Sequence, residues 1–212
     1  MNAMRASTLG TMICGSLLTS GCYWGFGAGP TLVSGRSSAK SGANSMTEVG
    51  FVFDYKRVVR VAYAGSLQFH HGALFTVDGQ HVVVPLPNSV QVEVTAHRFP
   101  EEVYLRGMAR AYWGSGIRVG PSGHEAVQGD SHGYGGLFGA TVLFAGDDQG
   151  LGPTGLSIST GLLVASAQTP TLGHMTYFAP MLLVGYDFFP PSILYCWFVD
   201  EKCPHHLTPV KN

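Results

Sequence analysis

Charge is scarce in this chain. Asp, Glu, Lys and Arg make up 12% of its 212 residues, about half the roughly 25% usual for a soluble domain. No Lys or Arg lies between Arg118 and Lys202, and no charged residue of either sign between Asp148 and Asp187. The net charge is −1, so no basic footprint for a nucleic-acid partner exists. Long apolar runs are missing too. Pro153, Gly155, Gly161, Pro170, Gly173 and Pro180 break the uncharged stretch well before the roughly 20 residues that a membrane-spanning helix needs. Helical periodicity, a Gly-rich phosphate loop, zinc-finger cysteine spacing and heptads are likewise absent, and no cofactor is expected.

What the chain has is glycine, aromatics and alternation. Its 29 glycines are about twice the usual 7%, and 12 Phe and 9 Tyr accompany them. Val59, Val61 and Tyr63 alternate with Arg60, Ala62 and Ala64, and Val90, Val92 and Val94 alternate with Gln91, Glu93 and Thr95. Between residues 104 and 113, Tyr104, Arg106, Met108, Arg110 and Tyr112 share one face. Leu156, Ile158, Thr160, Leu162 and Val164 share another. A period of two is the signature of strands with two different faces. The pattern predicts strands over 48–55, 58–71, 73–84, 88–98, 102–113, 134–146, 154–167 and 174–189. The fold class that follows is all-β, an antiparallel up-and-down barrel of about eight strands, which closes on itself and removes its own edges.

Two orientations of such a barrel remain open. In water the polar face must be outside and should carry many Lys and Glu residues, whereas here it is mostly Ser, Gly, Ala, Thr and Gln. In a membrane the apolar face meets lipid and the polar face fills the lumen, where small residues and a few paired charges suffice. Glu93 and His97 on one strand would then face Arg106 and Arg110 across a short turn, a ladder of opposite charges in a narrow interior. Arg106, Arg110 and Glu93 could alternatively bind a small anion at a barrel mouth.

The first residues read as an export signal. Arg5 is followed by a short apolar run from Leu9 to Leu18, with Ser20 and Gly21 before Cys22. The segment Leu17-Leu18-Thr19-Ser20-Gly21-Cys22 resembles the lipobox of bacterial lipoproteins, departing from it at Thr19, where Leu is usual. That resemblance implies cleavage after Gly21 and a diacylglycerol anchor, with palmitate-type acyl chains, on Cys22. The implied organisation is a signal peptide over 1–21, a flexible Gly/Ser-rich tether over 22–46, a β-barrel domain over 47–189 and a C-terminal tail over 190–212. In the tail, Cys196 and Cys203 form an even pair suited to a local disulfide in an oxidising compartment. A metal site with His205 and His206 is the rival reading. Leu182, Val184, Tyr186 and Phe188 alternate into a terminal aromatic and resemble the closing strand of bacterial outer-membrane barrels, although this chain continues beyond it and Pro180 interrupts it. Together the two resemblances imply the bacterial cell envelope, the outer membrane above all, with the membrane as partner.

Catalytic signals are weak. His124, Glu125, Asp130 and His132 fall in the loop 114–133 and include metal-ligating types, but nothing in their spacing fixes a geometry, so no metal is expected. Gly129-Asp130-Ser131 resembles the nucleophile segment of one esterase family, whose helices and Asp-x-x-His partner are missing. The expected role is therefore non-enzymatic, an envelope structural or binding barrel. The alternatives are a soluble lipoprotein carrying a small hydrophobic ligand and a lipid-modifying barrel enzyme. If Cys22 is acylated, Cys22→Ser is expected to leave a larger precursor and abolish fatty-acid labelling. Unchanged mobility and labelling would contradict the lipobox reading.

Overall fold

The computed structural model describes residues 20–35, 38–55, 58–66, 72–121, 124–145 and 155–188. The Cys196–Cys203 pair and most of the expected signal peptide lie outside the described residues. Among the described residues twelve strands run in chain order: β1 (Ser20–Ser34), β2 (Lys40–Tyr55), β3 (Val59–Ser66), β4 (Gly72–Val77), β5 (Gln80–Pro85), β6 (Asn88–Phe99), β7 (Val103–Ser115), β8 (Arg118–Gly120), β9 (Ala126–Val127), β10 (His132–Ala145), β11 (Gly155–Thr169) and β12 (Gly173–Phe188).

Every pairing is antiparallel, and eight strands close into a ring. From β1 the ladder passes through β2, β3, β6, β7, β10, β11 and β12 and returns to β1. The chain is thus an all-β up-and-down barrel. The start of β1 and the end of β12 lie at one end of the ring, here the terminal end, with the turns 55–59 and 99–103. The two longest connections, 66–88 and 115–132, lie at the other end, the crown, with the shorter 34–40 and 169–173, while 145–155 joins β10 to β11 at the terminal end. At the 99–103 turn Glu101 and Glu102 both take left-handed backbone conformations, with φ of 64° and 56°.

The wall includes a segment expected to be a tether. The described residues of 22–46 form most of β1 and the first part of β2 rather than a flexible linker. Tyr23, Gly25, Gly27 and Thr31 face the lumen, while Trp24, Phe26, Ala28 and Leu32 face outward. The alternation is present, but the inward set is mostly glycine, and glycine in a Ser-rich neighbourhood reads as linker composition. Conversely, the expected strand 73–84 does not belong to the ring. It is the hairpin β4–β5, turned by Asp78 and Gly79 at φ of 52° and 77°, the paired positive values of a tight two-residue hairpin.

That hairpin lies over the crown end as a lid. β2 pairs with β3 along its terminal-end half and with β4 along its crown half, and β5 continues the branch to β8 and β9. Ala73, Phe75, Val77, Val82 and Val84 are buried beneath it against Leu137, Leu163, Met175 and Tyr177 of the wall. The rings of Phe75 and Tyr177 stand 5.4 Å apart. Gly133 makes room for this packing, since a Cβ there would strike Val84 and Leu86. The lumen is therefore not polar throughout, as an alternating wall alone would have it. Its crown half is an apolar core because the lid supplies a second apolar surface. Phe75→Ala is expected to destabilise the barrel by about 3–5 kcal/mol in urea unfolding from detergent. Leu74→Ala, on the open face of the same strand, should change it by only about 0.5 kcal/mol.

Candidate functional site

The terminal-end half of the lumen holds the charge. Arg60 on β3 forks onto Asp187 of β12, with Nη2 2.6 Å from Oδ1 and Nε 3.2 Å from Oδ2, while its Nη1 reaches Glu93 Oε1 on β6 at 3.0 Å. Arg106 on β7 donates through Nη1 to the other oxygen of Glu93 at 3.3 Å. Gln91 and Thr141 also donate to Glu93, and Thr141 shares a hydrogen bond of 2.8 Å with Ser159 on β11. A second group centres on Glu48 of β2, which accepts from Arg110, from Ser89 at 3.3 Å and from Tyr23 at 3.3 Å. Arg110 also donates to the Tyr112 hydroxyl at 2.9 Å, and that hydroxyl to Met46 Sδ at 3.2 Å. Tyr23 joins the two groups: the guanidinium carbons of Arg60 and Arg110 stand 5.2 and 5.7 Å from its ring centroid, a geometry that cation–π attraction favours.

All six charged members are buried, and the three guanidiniums of Arg60, Arg106 and Arg110 balance the three carboxylates of Glu48, Glu93 and Asp187. Pairing of this kind is required, because an uncompensated charge sealed from water is strongly destabilising. The forked Arg60–Asp187 contact also sets orientation, since a guanidinium and a carboxylate match as two parallel hydrogen bonds. It ties β3 to β12 across the lumen.

Of the residues expected to line the lumen, the structure brings Glu93 and Arg106 into direct contact and places Arg110 with Glu48. His97 is not among them. The β6–β7 register shifts between Thr95 and His97, and this bulge reverses the parity of the strand end. His97 is therefore exposed and packs edge-on against Phe99, with ring centroids 4.5 Å apart. No expectation from the sequence places Glu48, Arg60, Asp187 or Tyr23 in the charge network. For Arg60 and Asp187 the signal was there: each has the opposite parity to its exposed neighbours, Val61 and Tyr186 respectively.

His124, Asp130 and His132 are exposed, His132 lies along Tyr134, and no group of three or more His, Cys, Asp or Glu positioned for a metal occurs among the described residues. Ser131, in the esterase-like tripeptide, is a buried loop fastener. Its Oγ accepts from Ile117 N at 2.9 Å and donates to Gln128 O at 2.7 Å, which leaves it badly placed as a nucleophile.

The outside of the ring is apolar. Phe51, Phe138 and Leu182 are 64%, 63% and 57% exposed, and Val61, Val92, Leu156, Ile158, Leu162 and Val184 share the same surface. Aromatics cluster at two levels. Trp24 lies opposite Tyr186 near the terminal end, and Trp113 lies opposite Tyr134 near the crown. The Cys22 thiol is free and belongs to this outward face, two residues before Trp24.

No family model matches the chain, and no curated protein does. Among solved structures it is similar to Ail, the attachment invasion locus protein of Yersinia pestis, over 80% of this chain and 97% of that one, at 13% identity and a TM-score of 0.36. A likeness that slight adds nothing to the architecture already described.

Breaking the forked pair tests the network. Asp187→Leu is expected to destabilise the barrel by about 3–5 kcal/mol, because Arg60 keeps its charge and loses its main partner. The double change Arg60→Met with Asp187→Leu, which restores the balance, should recover most of the loss in the urea midpoint. Equal loss in both variants would refute this account of the pair.

Proposed function

We propose that this protein is a plugged outer-membrane β-barrel of the bacterial envelope, anchored by lipid at Cys22, with a structural or binding role. The observation that carries the reading is the inversion of its surfaces. Charge lies inside in balanced pairs, while large apolar side chains lie outside around the ring. A wetted exterior would leave this belt as an extensive apolar patch, whereas lipid buries it. On β11 the outward apolar residues run from Leu156 to Val164, roughly 20 Å along the axis at ordinary strand rise and tilt. Outer-membrane barrels carry an apolar band of about 25 Å, flanked by aromatic girdles. The Trp24–Tyr186 and Trp113–Tyr134 levels fit those girdles.

The same likeness supports an orientation. Such barrels keep short turns toward the periplasm and longer loops outside, and the two longest connections, 66–88 and 115–132, favour a periplasmic terminal end and an exterior crown. Cys22 then sits at the periplasmic rim with its side chain toward lipid. Acylated there, it lays its chains directly along the wall at Trp24 and Phe26, with no tether between anchor and barrel. The absence of catalysis is supported by the state of the buried carboxylates. Glu48, Glu93 and Asp187 are each engaged by a guanidinium, and the lid closes the lumen toward the crown.

Leu162→Arg, in the middle of the outward face of β11, is expected to cost about 2–4 kcal/mol in vesicles. Gln168→Arg, on the same face at the crown end, should cost about 0–1 kcal/mol. The wild-type barrel should migrate differently before and after boiling and resist protease when embedded. A detergent-free monomer of the unlipidated chain would instead support the soluble lipoprotein.

A further inference from the structure

The branch that forms the lid has an outer face as regular as its buried one. Ala43, Leu74, Val83, Arg118 and Val127 stand in one row across β2, β4, β5, β8 and β9, each directly opposite the next. Directly opposed residues share one side of a sheet, and four strand spacings make the row roughly 19 Å wide. A second row, nearer the hairpin tip, holds Lys40, Thr76, His81 and Gly120. The alternating residues Ala73, Phe75, Val82, Val84 and Val119 are the buried set, so both rows lie on the side away from the lumen. Leu74 and Val127 are 44% and 62% exposed, and Lys40 and Arg118 are exposed with them. Neither cation has a partner among the described residues. The two acids bordering the rows are already engaged: Asp78 accepts from Ser38, and Glu125, beside Gly120, has a partner of its own.

This face continues the outside of the barrel. Ala43 belongs to the outward side of β2, which runs down the wall to Phe51 in the apolar belt. The base of the hairpin is fixed at the crown-side aromatic level. Gly72 lies opposite Pro85 there, and the Pro85 carbonyl oxygen fills the position that a Cβ on Gly114, next to Trp113, would take. The first row stands two residues beyond that base, roughly 7 Å along the strands. A bilayer's polar layer extends roughly 5–7 Å beyond the hydrocarbon core on each side. In the orientation given above, the first row therefore lies at headgroup depth and the second just outside it.

Apolar side chains interleaved with unpaired cations at that depth match lipids that carry negative charge, since such a surface attracts Lys and Arg while apolar side chains insert beneath the headgroups. Continuity with the lipid-facing wall singles out the membrane surface over a partner from the water phase. We propose that the outer face of β4, β5, β8 and β9 is a docking surface for the anionic phospholipid headgroups of the exterior leaflet, with Arg118 and Lys40 on their phosphates and Leu74, Val83 and Val127 against the glycerol and upper acyl segments. The proposal deepens the binding role given above and rests on the membrane reading, and its test separates the two.

The full chain is embedded in phosphatidylcholine vesicles with a minor share of phosphatidylglycerol, extracted into a mild non-ionic detergent and weighed intact by native mass spectrometry. The wild type is expected to retain phosphatidylglycerol at a ratio to phosphatidylcholine above that of the vesicles. Arg118→Gln with Lys40→Gln should lower this enrichment about fivefold or more and leave the boiling-dependent mobility of the embedded barrel unchanged. Arg98→Gln, at the terminal end and already paired with Glu102, should leave the enrichment as it is. No enrichment in an embedded wild type, undiminished enrichment in the double variant, or an equal loss in the Arg98 variant would overturn the docking surface. A wild type that does not embed would overturn the membrane reading and the docking surface with it. Contact is read separately with a photoreactive benzoylphenylalanine in place of Val127. Illumination of the embedded barrel should attach phospholipid to it; attachment only to a second copy of the chain, or none, would overturn lipid as the occupant of this face.

Discussion

Closure of the sheet by β1 is the constraint on which the rest of this structure depends. β1 pairs with β2 on one side and β12 on the other, and without it the remaining seven wall strands would form an open sheet with two unpaired edges. Once the ring is closed at eight strands, its interior is just wide enough for side chains to fill. Every inward residue must then be small, apolar against another apolar surface, or matched by an opposite charge. Tyr23, the first inward aromatic of β1, lies between Arg60 and Arg110, so the closing strand also completes the charge network.

The lumen meets this requirement differently at its two ends. Toward the terminal end no covering element occurs among the described residues, and guanidinium–carboxylate pairs with hydroxyl and amide partners fill the space. Toward the crown the β4–β5 hairpin brings Phe75, Val82 and Val84 down onto Leu137, Leu163 and Tyr177, and a dry core forms. The split follows from β2, which is longer than β3 and therefore has a free upper ladder for β4 to use.

Much of this was legible in strict alternation. Six of the wall strands stand close to where period-two patterning puts them, and β2 matches its expected strand 48–55 only along its terminal-end half. The parity of Arg106 and Arg110 relative to Tyr104 and Tyr112 was enough to turn both inward together. The pattern failed where parity was altered or hidden. A bulge after Thr95 sent His97 outward, and bulges leave no local mark in a run such as Thr95-Ala96-His97. Glycine on the inner face of β1 disguised a wall strand as a linker, since a residue without a side chain carries no hydrophobic signal. The segment 73–84 has good strand character, but its place in a lid rather than the wall depends on which strand β2 selects as partner.

The sequence by itself determined the class of fold, the two-faced strands, the scarcity of exterior charge and the inward parity of most of the charged residues. These are local properties, set by side-chain period and composition. Only the tertiary structure decided which charges meet. Arg60 and Asp187 are separated by most of the chain and become partners only because β3 and β12 face each other across a closed ring. The same closure made β1 a wall strand and placed Cys22 at its outward rim. Pairing register between distant strands is a property of the assembled sheet, and no local pattern encodes it.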